Sequence, residues 1–477
     1  MQDDNTVNGF EPFEKSMRTE GLPPLAIATF KYYYSQLVTG NSGLIPESEI
    51  EPVASLPAIE ELGTAVRRTG ARSKPATVVI KLNGGLGTSM GLDRAKSLIE
   101  VKQGLNFLDI ISRQSISNGV PLMLMNSFAT RDDSLAVLDK YPELREFGIA
   151  ADFVQNKVPK VSRTDLQPAR CPQAPYLEWC PPGHGDIYTA LVTSGCLERL
   201  LKAGYRYAFI SNADNLGAVL DETILGYLVE QQCPFLMEVA DRTEADRKGG
   251  HLAVRRADGQ LILRESAQCP EADIPAFQDI SRYRYFNTNS LWLDLRILQE
   301  TMAARNNILG LPLICNSKHI DPRDESSQPV FQLETAMGAA ISVFDGAQAI
   351  RVPRSRFAPV KTTNDLLTIR SDAYTLTDDY QLHPSGTPGE TPVINLDSRY
   401  FKSIDAFEAR FPEGVPSLAS CRRLTVTGDV KFGENIKLVG DVNIDNQTGK
   451  QILIEQNSII QGEFNCEEGG MKKATSH

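Results

Sequence analysis

The sequence predicts an α/β protein built on a doubly wound sheet, mixed but mainly parallel, with a helical segment before it and a short parallel β-helix after it. Three observations support this prediction. A helical period dominates the first 70 residues, strand and helix patterns alternate from residue 76 onward, and a six-residue period replaces them after about residue 385. We therefore expect three domains, at residues 1–70, 71–385 and 386–477.

The N-terminal segment is predicted to be helical. Residues 25–37 carry apolar and aromatic side chains at helical spacing, and Pro46 and Pro52 precede a second helical pattern at residues 57–66. These helices lead into the first strand of the sheet.

The central region alternates between strand and helix patterns. The predicted strands cover residues 76–82, 121–125, 205–211 and 234–240. The predicted helices cover residues 107–117, 134–141, 187–201 and 222–231. Such alternation is typical of a parallel sheet, whose ligands lie beyond the carboxyl ends of its strands.

A glycine-rich loop follows the first strand and indicates a nucleotide site. Residues 81–91 contain Gly84, Gly85, Gly87 and Gly91, so main-chain N–H groups can approach a phosphate or a base closely, and Lys96 follows five residues later. The spacing G-x-G-x-x-x-G matches neither the Walker loop nor the dinucleotide motif. A nicotinamide-dependent dehydrogenase is therefore disfavoured.

The C-terminal region repeats every six residues. One row of apolar side chains is Val426, Phe432, Leu438 and Ile444, and a second is Val430, Ile436 and Val442. Hexapeptide repeats form the faces of a parallel β-helix, here of about two coils. Acyltransferases also contain such repeats, but this run contains no histidine, so we expect a lid on the main domain or an assembly surface.

Composition excludes several function classes. The 477 residues are 41% hydrophobic and 23% charged, with a formal net charge of −11. This acidity argues against a nucleic-acid or anionic-membrane partner. The apolar runs are too short for a membrane helix, and the eight cysteines form no C-x-x-C pair. We expect a soluble cytoplasmic protein.

Residues 81–90, with Lys96 and Ser97, resemble the signature of the UTP:glucose-1-phosphate uridylyltransferases, also called UDP-glucose pyrophosphorylases. Segments similar to that family follow in order: CPPGHGD at 180–186, SNADNLGA at 211–218, KGGH at 248–251, YFNTN at 285–289, QLETAMGAA at 332–340 and PVKTT at 359–363. The resemblance implies a Rossmann-like nucleotide-diphospho-sugar transferase fold. It also implies an enzyme that forms UDP-glucose and pyrophosphate from UTP and glucose 1-phosphate.

In this reaction a phosphate oxygen of the sugar attacks the α-phosphorus of UTP in line with departing pyrophosphate. The nucleophile is already ionised, so the enzyme must mainly supply positioning and positive charge. On an acidic chain that charge must be concentrated locally. The candidates are Lys96, Lys248, Arg356 and Lys361, together with Mg²⁺ as cofactor.

The resemblance also implies catalytic roles. Lys96 would lie against the triphosphate, Lys361 would contact phosphates on the attack side, and His184 would donate a hydrogen bond to the sugar phosphate. Apart from the resemblance, Arg354 and Arg356 are candidates for an auxiliary role by their position, although exposed arginines near a proline usually belong only to the surface. The chain has Arg94-Ala95 before Lys96, where many members have Gly-Pro.

The remaining site residues fall into three groups. Main-chain groups of the glycine loop and the amide of Gln155 would recognise uracil, and Asp214, a carboxylate at the end of a strand, is the candidate ligand of Mg²⁺. The expected nucleotide-binding residues are Leu82, Asn83, Gly84, Gly85, Gln155, Gly183, Asn212 and Asp214. The expected sugar-binding residues are His184, Gly250, Glu265, Asn287 and Asn289.

Other functions remain open at this stage. The nearest alternative is a UDP-sugar pyrophosphorylase of broad specificity. N-acetylhexosamine relatives are disfavoured because their loop carries an arginine after Gly-Thr, where this chain has Ser89. A nucleotide-binding or assembly protein without activity would not require Lys96, His184, Asp214 and Lys361. The expected partners are UTP, glucose 1-phosphate, UDP-glucose and pyrophosphate. The chain is expected to be a monomer, or a homo-oligomer through the C-terminal β-helix.

Overall fold

The computed structural model describes residues 9–386, 391–467 and 470–473. Within these ranges, no helix is long and apolar enough to cross a membrane. The α-helices in these ranges are α1 (Glu11–Thr19), α2 (Pro24–Val38), α3 (Thr64–Ser73), α4 (Phe107–Asn118), α5 (Arg131–Leu138), α6 (Ile187–Thr193), α7 (Cys196–Lys202), α8 (Glu222–Glu230), α9 (Ile274–Phe277), α10 (Leu295–Ala304), α11 (Thr363–Arg370), α12 (Ser398–Phe401) and α13 (Ile404–Arg410).

The strands before residue 360 are β1 (Ile50–Pro52), β2 (Thr77–Asn83), β3 (Glu100–Lys102), β4 (Leu105–Asn106), β5 (Leu122–Asn126), β6 (Asp152–Val154), β7 (Val158–Pro159), β8 (Val161–Ser162), β9 (Trp179–Cys180), β10 (Tyr207–Asn212), β11 (Phe235–Asp241), β12 (His251–Arg255), β13 (Leu261–Arg264), β14 (Tyr285–Asp294), β15 (Ile314–His319), β16 (Pro329–Glu334) and β17 (Gln348–Arg351). The later strands are β18 (Tyr374–Leu376), β19 (Leu382–Pro384), β20 (Val393–Leu396), β21 (Ser417–Thr427), β22 (Val430–Phe432), β23 (Lys437–Asn446), β24 (Ile452–Ile454), β25 (Ile459–Glu467) and β26 (Gly470–Lys473).

The main sheet has ten strands and is mixed but mainly parallel, as predicted. Its longest path is β1-β12-β14-β10-β2-β5-β6, with β13 on β12 and with β11 between β14 and β17. The neighbours β10, β2, β5 and β6 are parallel. Strand β14 is antiparallel to β10, β11 and β12. Given the remaining pairings, seven strands run in one direction, and β1, β13 and β14 run in the other.

Most of the predicted elements are confirmed. The four predicted strands are β2, β5, β10 and β11, each within two residues of its expected ends. Helices α2, α4 and α8 match equally well. Strand β2 is buried along almost its whole length, as expected for a central parallel strand that is covered on both faces.

Four predictions of helical structure were wrong in detail. The helix predicted at residues 187–201 is two helices, because Gly195 adopts a left-handed conformation with φ of 70° between α6 and α7. The second N-terminal helix begins only at Thr64, after a 3₁₀ turn at Ile59–Glu61. Helix α5 begins three residues earlier than expected, at Arg131. The region after residue 385 also contains two short helices, α12 and α13, before the coils.

The six-residue period forms a short parallel β-helix, as predicted. Strands β20, β21, β23 and β25 are parallel neighbours in one sheet, and β22 and β24 pair in a second. The side chains of both predicted rows are buried, namely Val426, Phe432, Leu438, Ile444, Val430, Ile436 and Val442. The period therefore marks the interior of the coils.

The β-helix shares a hydrophobic core with the main sheet. One cluster of buried side chains runs from Val79 on β2 through Leu366 on α11 to Phe432 on β22. In the N-terminal region, β1 pairs with β12 in the main sheet. The division at residues 70 and 385 stays a prediction from the sequence.

Candidate active site

The glycine loop lies at the carboxyl edge of the main sheet, where β2 ends. The side chain of Asn83 turns into the protein, where its Nδ2 donates to Asn126 Oδ1 at 2.8 Å and to Ser134 Oγ at 2.7 Å. Thr130 Oγ1 donates to the carbonyl oxygen of Asn83 at 2.7 Å. The end of β2 is therefore fixed by buried hydrogen bonds, and the loop begins from a rigid position.

All eight residues predicted to bind the nucleotide line one cavity of about 290 Å³. They come from separate loops at the carboxyl ends of β2, β6 and β10 and from the turn after β9. Lys96 and His184 line the same cavity. Four further lining residues, Ser97, Met125, Pro181 and Ala213, were not predicted as site residues, although Ser97, Pro181 and Ala213 lie within the segments that resemble the family.

Gly84 and Gln155 both line this cavity and lie against each other. A Cβ atom at Gly84 would lie 2.7 Å from Gln155 Nε2, so the amide packs directly against the loop backbone. The main chain of Asn126 accepts a hydrogen bond from the Gln155 N–H at 2.8 Å, which fixes the backbone that carries the amide. The amide and the bare loop backbone can therefore contact the same flat ligand.

Lys96 and Asp214 form an ion pair inside the cavity. Lys96 Nζ lies 2.7 Å from Asp214 Oδ2, and the two side chains are 15% and 20% exposed. The main chain on both sides is also held: Lys96 N–H donates to Gly85 O at 3.2 Å and Val360 N–H donates to Asp214 O at 3.0 Å. The glycine loop, the strand β10 loop and the segment before Lys361 are thereby joined.

Asp214 fits the role of a metal ligand. Its second carboxylate oxygen, Oδ1, is buried and has no hydrogen-bond partner among the described residues, and such an atom costs free energy unless a ligand satisfies it. No group of three or more acidic, cysteine or histidine side chains suited to a metal occurs in the part of the chain that the structure describes. A single carboxylate supplemented by substrate phosphates is a common arrangement for Mg²⁺.

His184 is held in one tautomer beside the cavity. The main-chain N–H of Met337 donates to His184 Nδ1 at 2.9 Å, so the neutral ring carries its proton on Nε2. Burial, together with the positive charge of Lys361, lowers the pKa of His184 to about 4. The ring is therefore a neutral hydrogen-bond donor at physiological pH.

The turn around His184 requires glycine. Gly183 has a φ of 78°, and a Cβ atom there would lie 2.4 Å from Thr335 O. Behind the turn, the buried Asp186 accepts hydrogen bonds from the Asn156 main chain at 2.6 Å and from its side-chain amide at 3.0 Å. These contacts fix the ring close to the neighbouring loop.

Lys361 is exposed and lies next to the first cavity rather than in its lining. It lines an adjacent cavity of about 560 Å³ that also contains Lys248 and Phe286. Its charge affects the pKa of His184 and of Glu265, which places Lys361 between the nucleotide cavity and the expected sugar site. Its main-chain N–H donates to Asp365 Oδ2 at 2.8 Å, at the start of α11.

The structure brings four of the five predicted sugar-binding residues together, Gly250, Glu265, Asn287 and Asn289, whereas His184 lines the first cavity. A Cβ atom at Gly250 would lie 2.5 Å from Glu265 Oε2, so the carboxylate lies directly over that glycine. Burial raises the pKa of Glu265, which the charge of Lys361 and a hydrogen bond with Asn287 oppose. Asn287 Nδ2 donates to Asn289 Oδ1 at 2.9 Å. These side chains therefore supply hydrogen-bond donors and acceptors from several directions around the expected position of the sugar.

Arg356 was predicted among the cations of the site, but the structure assigns it elsewhere. Its guanidinium is buried, with Nε and Nη2 each 2.7 Å from a carboxylate oxygen of the fully buried Glu238. Arg356 Nη2 also donates to Val219 O. The prediction was wrong because the sequence does not show that Glu238, on β11, faces this arginine.

Lys81, in the glycine-loop motif, is also a buried residue. Its Nζ donates to Ser211 Oγ at 2.7 Å and to Ala218 O at 2.6 Å. Burial, with the charge of Arg356 acting in the same direction, lowers its pKa to about 7. Lys81 therefore ties β2 to the loop that carries Asp214, although nothing in its sequence position distinguishes it from a surface lysine.

Comparison with known proteins gives matches over most of the chain. Residues 27–439 match the family model described as UTP–glucose-1-phosphate uridylyltransferase. The chain is 41% identical over 392 residues to the UTP–glucose-1-phosphate uridylyltransferase of Solanum tuberosum, with 80% of each chain covered. It is 42% identical over 391 residues to that of Saccharomyces cerevisiae, with 80% of this chain and 76% of the yeast protein covered.

Solved structures of similar proteins cover almost the whole chain. The UDP-glucose pyrophosphorylase of Leishmania major superposes with a TM-score of 0.89 at 44% identity, covering 97% of this chain and 100% of the other. A mutant of that enzyme in complex with UDP-glucose gives a TM-score of 0.88 at 44% identity, covering 96% and 99%. A Trypanosoma brucei structure gives 0.87 at 43% identity, covering 97% and 100%.

Proposed function

The chain belongs to the UTP–glucose-1-phosphate uridylyltransferase family, and on this premise we propose how its residues carry out the transfer. As a nucleotidyltransferase, it forms UDP-glucose and pyrophosphate from UTP and glucose 1-phosphate. A phosphate oxygen of glucose 1-phosphate forms a bond to the α-phosphorus, and the bond from that phosphorus to pyrophosphate breaks. No proton needs to leave the nucleophile.

The nucleotide binds in the cavity lined by the glycine loop. The Gln155 amide and the main chain of Leu82 and Gly84 pair with the uracil edge, since an amide both donates and accepts. The Lys96–Asp214 pair supports this placement of the triphosphate, because it puts a cation beside the loop that approaches the phosphates. This ion pair inside the predicted nucleotide cavity is the observation that carries the proposal.

The sugar phosphate binds between His184, Lys361 and the polar set around Glu265. The neutral ring of His184 donates from Nε2 to a phosphate oxygen, and Lys361 offsets the repulsion between the two anionic substrates. Gly250, Glu265, Asn287 and Asn289 hold the hydroxyls of glucose. Fixed donors and cations of this kind stabilise charge in the transition state without reorganising.

Mg²⁺ is the proposed cofactor, with Asp214 as its protein ligand. When bound, it supplies Lewis-acid charge to the phosphate oxygens. The unpaired Oδ1 of Asp214 supports this assignment. A homo-oligomer through the β-helix and a cytoplasmic location stay predictions from the sequence.

The test is pyrophosphate release from UTP with glucose, galactose, xylose or N-acetylglucosamine 1-phosphate, with and without Mg²⁺. We expect the glucose compound to be preferred at least about tenfold, because contacts with one sugar hydroxyl contribute 1–3 kcal/mol. Similar rates with several sugars would instead establish a broad-specificity UDP-sugar pyrophosphorylase. Absence of pyrophosphate with every sugar would refute the proposal.

Asp214→Asn tests the metal site within the same assay. It keeps the size of the side chain but removes the charge, so we expect turnover to fall about 100-fold or more and its Mg²⁺ dependence to weaken. Asp133→Asn, at an exposed carboxylate on α5, is the control and should leave turnover unchanged. Full turnover of Asp214→Asn would remove this residue from metal binding.

A further inference from the structure

We propose that Asp246 is a positioning residue for glucose 1-phosphate, because its carboxylate joins the loop of Lys248 and Gly250 to the segment that leads to Lys361. The inference rests on the function proposed above and concerns a residue outside the predicted substrate-binding set. Asp246 is buried, with 7% of its side chain exposed. A buried carboxylate is costly unless it is paired, so its partners carry information about its role.

On its own loop, Asp246 organises the backbone before Lys248. Its Oδ2 accepts hydrogen bonds from the Thr243 main chain at 2.8 Å and from Thr243 Oγ1 at 2.7 Å. Its main-chain oxygen accepts from Gly249 N–H at 2.9 Å and from Arg242 Nη2 at 3.1 Å. The loop that presents Gly249 and Gly250 to the sugar site is therefore closed on itself through Asp246.

On the other side, Asp246 binds the segment that leads to Lys361. Arg354 Nη1 lies 2.7 Å from Asp246 Oδ2, and Arg354 Nη2 lies 3.4 Å from Asp246 Oδ1. Arg354 begins the 3₁₀ turn Arg354–Arg356, five residues after which Lys361 follows. The opposite end of that turn is fixed to the core by the Arg356–Glu238 pair.

An aromatic contact runs parallel to this ion pair. Phe286 and Phe357 meet edge to face, with ring centroids 5.0 Å apart. A Cβ atom at Gly249 would lie 2.1 Å from the Phe286 ring, and the Arg354 guanidinium lies 5.5 Å from the Phe357 centroid. The loop of Gly249 and the segment of Arg354 and Phe357 thus pack closely. The Asp246–Arg354 ion pair sets their separation at the edge of the cavity that contains Lys248 and Lys361.

The uridine side of the site does not depend on these contacts. Gln155 and Gly84 are positioned through β2, β5 and β6, at the other half of the sheet from the Asp246 loop. Displacing a loop by about 1 Å can cost on the order of 100-fold in a positioned reaction. A change at Asp246 should therefore weaken the binding of glucose 1-phosphate while leaving that of UTP unchanged.

A double-mutant cycle with Asp246→Asn, Arg354→Gln and both together tests the inference. We expect each single variant to raise the KM for glucose 1-phosphate about tenfold and to leave the KM for UTP within about twofold of wild type, in line with the displacement argument. The double variant should be no worse than the more affected single, since either change breaks the same pair. Arg354→Lys keeps the charge and should restore most of the binding.

Asp294→Asn is the matched control. Asp294 is also a buried carboxylate that caps its own backbone, accepting from Arg296 N–H at 3.0 Å, and it pairs with an arginine, Arg206, at 2.9 Å. It lies opposite Tyr207 at the start of β10, at the edge of the sheet away from the site. This variant should lose stability without a change in either KM.

Three results would overturn the inference: unchanged KM values in folded Asp246→Asn, equal increases in both KM values, or fully additive effects in the double variant. Circular dichroism and thermal unfolding identify folded variants. If Asp246→Asn does not fold, the two KM values are compared in Arg354→Gln and Arg354→Lys instead. Arg354 is 33% exposed, so its substitution disturbs the fold less than that of a buried residue. A wild type that forms no UDP-glucose would refute the proposed function, whereas an active wild type with unaffected variants would refute only this inference.

Discussion

The two predicted catalytic lysines stand in different surroundings. Lys96 is mostly buried and paired with Asp214, whereas Lys361 is exposed and forms no ion pair within the described residues. A phosphate that approaches Lys96 must share its charge with a carboxylate, while Lys361 is available to an incoming anion. Lys96 therefore suits a fixed triphosphate, and Lys361 suits the second substrate.

Lys96→Ala and Lys361→Ala should each lower turnover by about 100-fold or more, because each removes a positioned cation from the transition state. Steady-state kinetics of pyrophosphate release measures the effect, and circular dichroism checks the fold. Lys437→Ala, at an exposed lysine on β23, is the control and should behave as wild type. Near-normal turnover in either site variant would remove that lysine from the mechanism.

His184 is predicted to stay neutral far below the usual pKa of an imidazole. Its folded-state pKa, about 4, is lower than the unfolded value of about 6.5. The stabilisation associated with this difference is therefore present above pH 6.5 and is lost as the pH falls through about 4. Across pH 5 to 8, the ring should keep its proton on Nε2 and donate.

The imidazole resonances of wild type and His184→Gln, followed by NMR from pH 5 to 8, provide the measurement. We expect the signal that disappears in His184→Gln to show no titration in this range. A midpoint near 6.5 for that signal would contradict the assignment of His184 as a permanently neutral donor. Free imidazole recorded over the same pH range in the same buffer is the control for the pH scale.

Helices α3 and α8 illustrate why some elements depend on glycine. A Cβ atom at Gly226 on α8 would lie 1.9 Å from Val66 O on α3, and one at Gly70 would lie 1.7 Å from Glu222 O. The two helix backbones are therefore in direct contact. Helix α8 follows the loop that begins at Asp214, so this contact also fixes the end of that loop.

Gly226→Ala should destabilise the protein by about 2 kcal/mol or more, because overpacking a close contact costs 1–3 kcal/mol and the opposing atoms are backbone. Chemical denaturation gives the free energy of unfolding. Gly63→Ala is the matched control, since a Cβ atom at this position beside α3 meets nothing within 4 Å. A Gly226→Ala variant as stable as Gly63→Ala would show that α3 and α8 can move apart without a loss in the free energy of unfolding.

At the level of the whole chain, the β-helix and the main sheet share a hydrophobic core. Phe432 is fully buried, stacks on Phe411 with ring centroids 4.8 Å apart, and belongs to the cluster that includes Val79 on β2. Asp372, after α11, also accepts hydrogen bonds from the main chain of Leu418 and Ala419 on β21. Apolar and polar contacts thus connect the two parts.

Phe432→Ala should therefore destabilise the main sheet as well as the coils. Its cost is about 3–5 kcal/mol, the usual range for truncating a buried phenylalanine. Both tryptophans, Trp179 and Trp292, lie in β9 and β14, so tryptophan fluorescence during denaturation reports on the sheet side alone. Leu453→Ala, at a leucine that is 55% exposed on β24, is the control. An unshifted fluorescence transition in Phe432→Ala would mean that the two parts unfold independently.

The local pattern of residues was enough to predict four strands of the main sheet and the coils of the β-helix, but not the other six strands of that sheet. The apolar run of β2 indicates a strand that is covered on both faces, and the six-residue period of the coils indicates which side chains face their interior. The glycine loop and Asp214 were predicted to lie together because both follow parallel strands, whose carboxyl ends meet at one edge. Gln155 and His184 were identified from the resemblance of their segments to a known family. The resemblance of the motifs to a known family supplied their roles.

The ion pairs that hold the site could not be predicted in the same way. Arg356 and Lys361 are five residues apart and look alike in sequence, yet one is buried on Glu238 and the other is exposed. Asp246 and Arg354 are more than 100 residues apart, and nothing local indicates that they meet. The charge of a side chain is a property of the residue, but its partner depends on how distant strands and loops pack. Only the folded chain therefore separates the cations available to substrate from those that support the site.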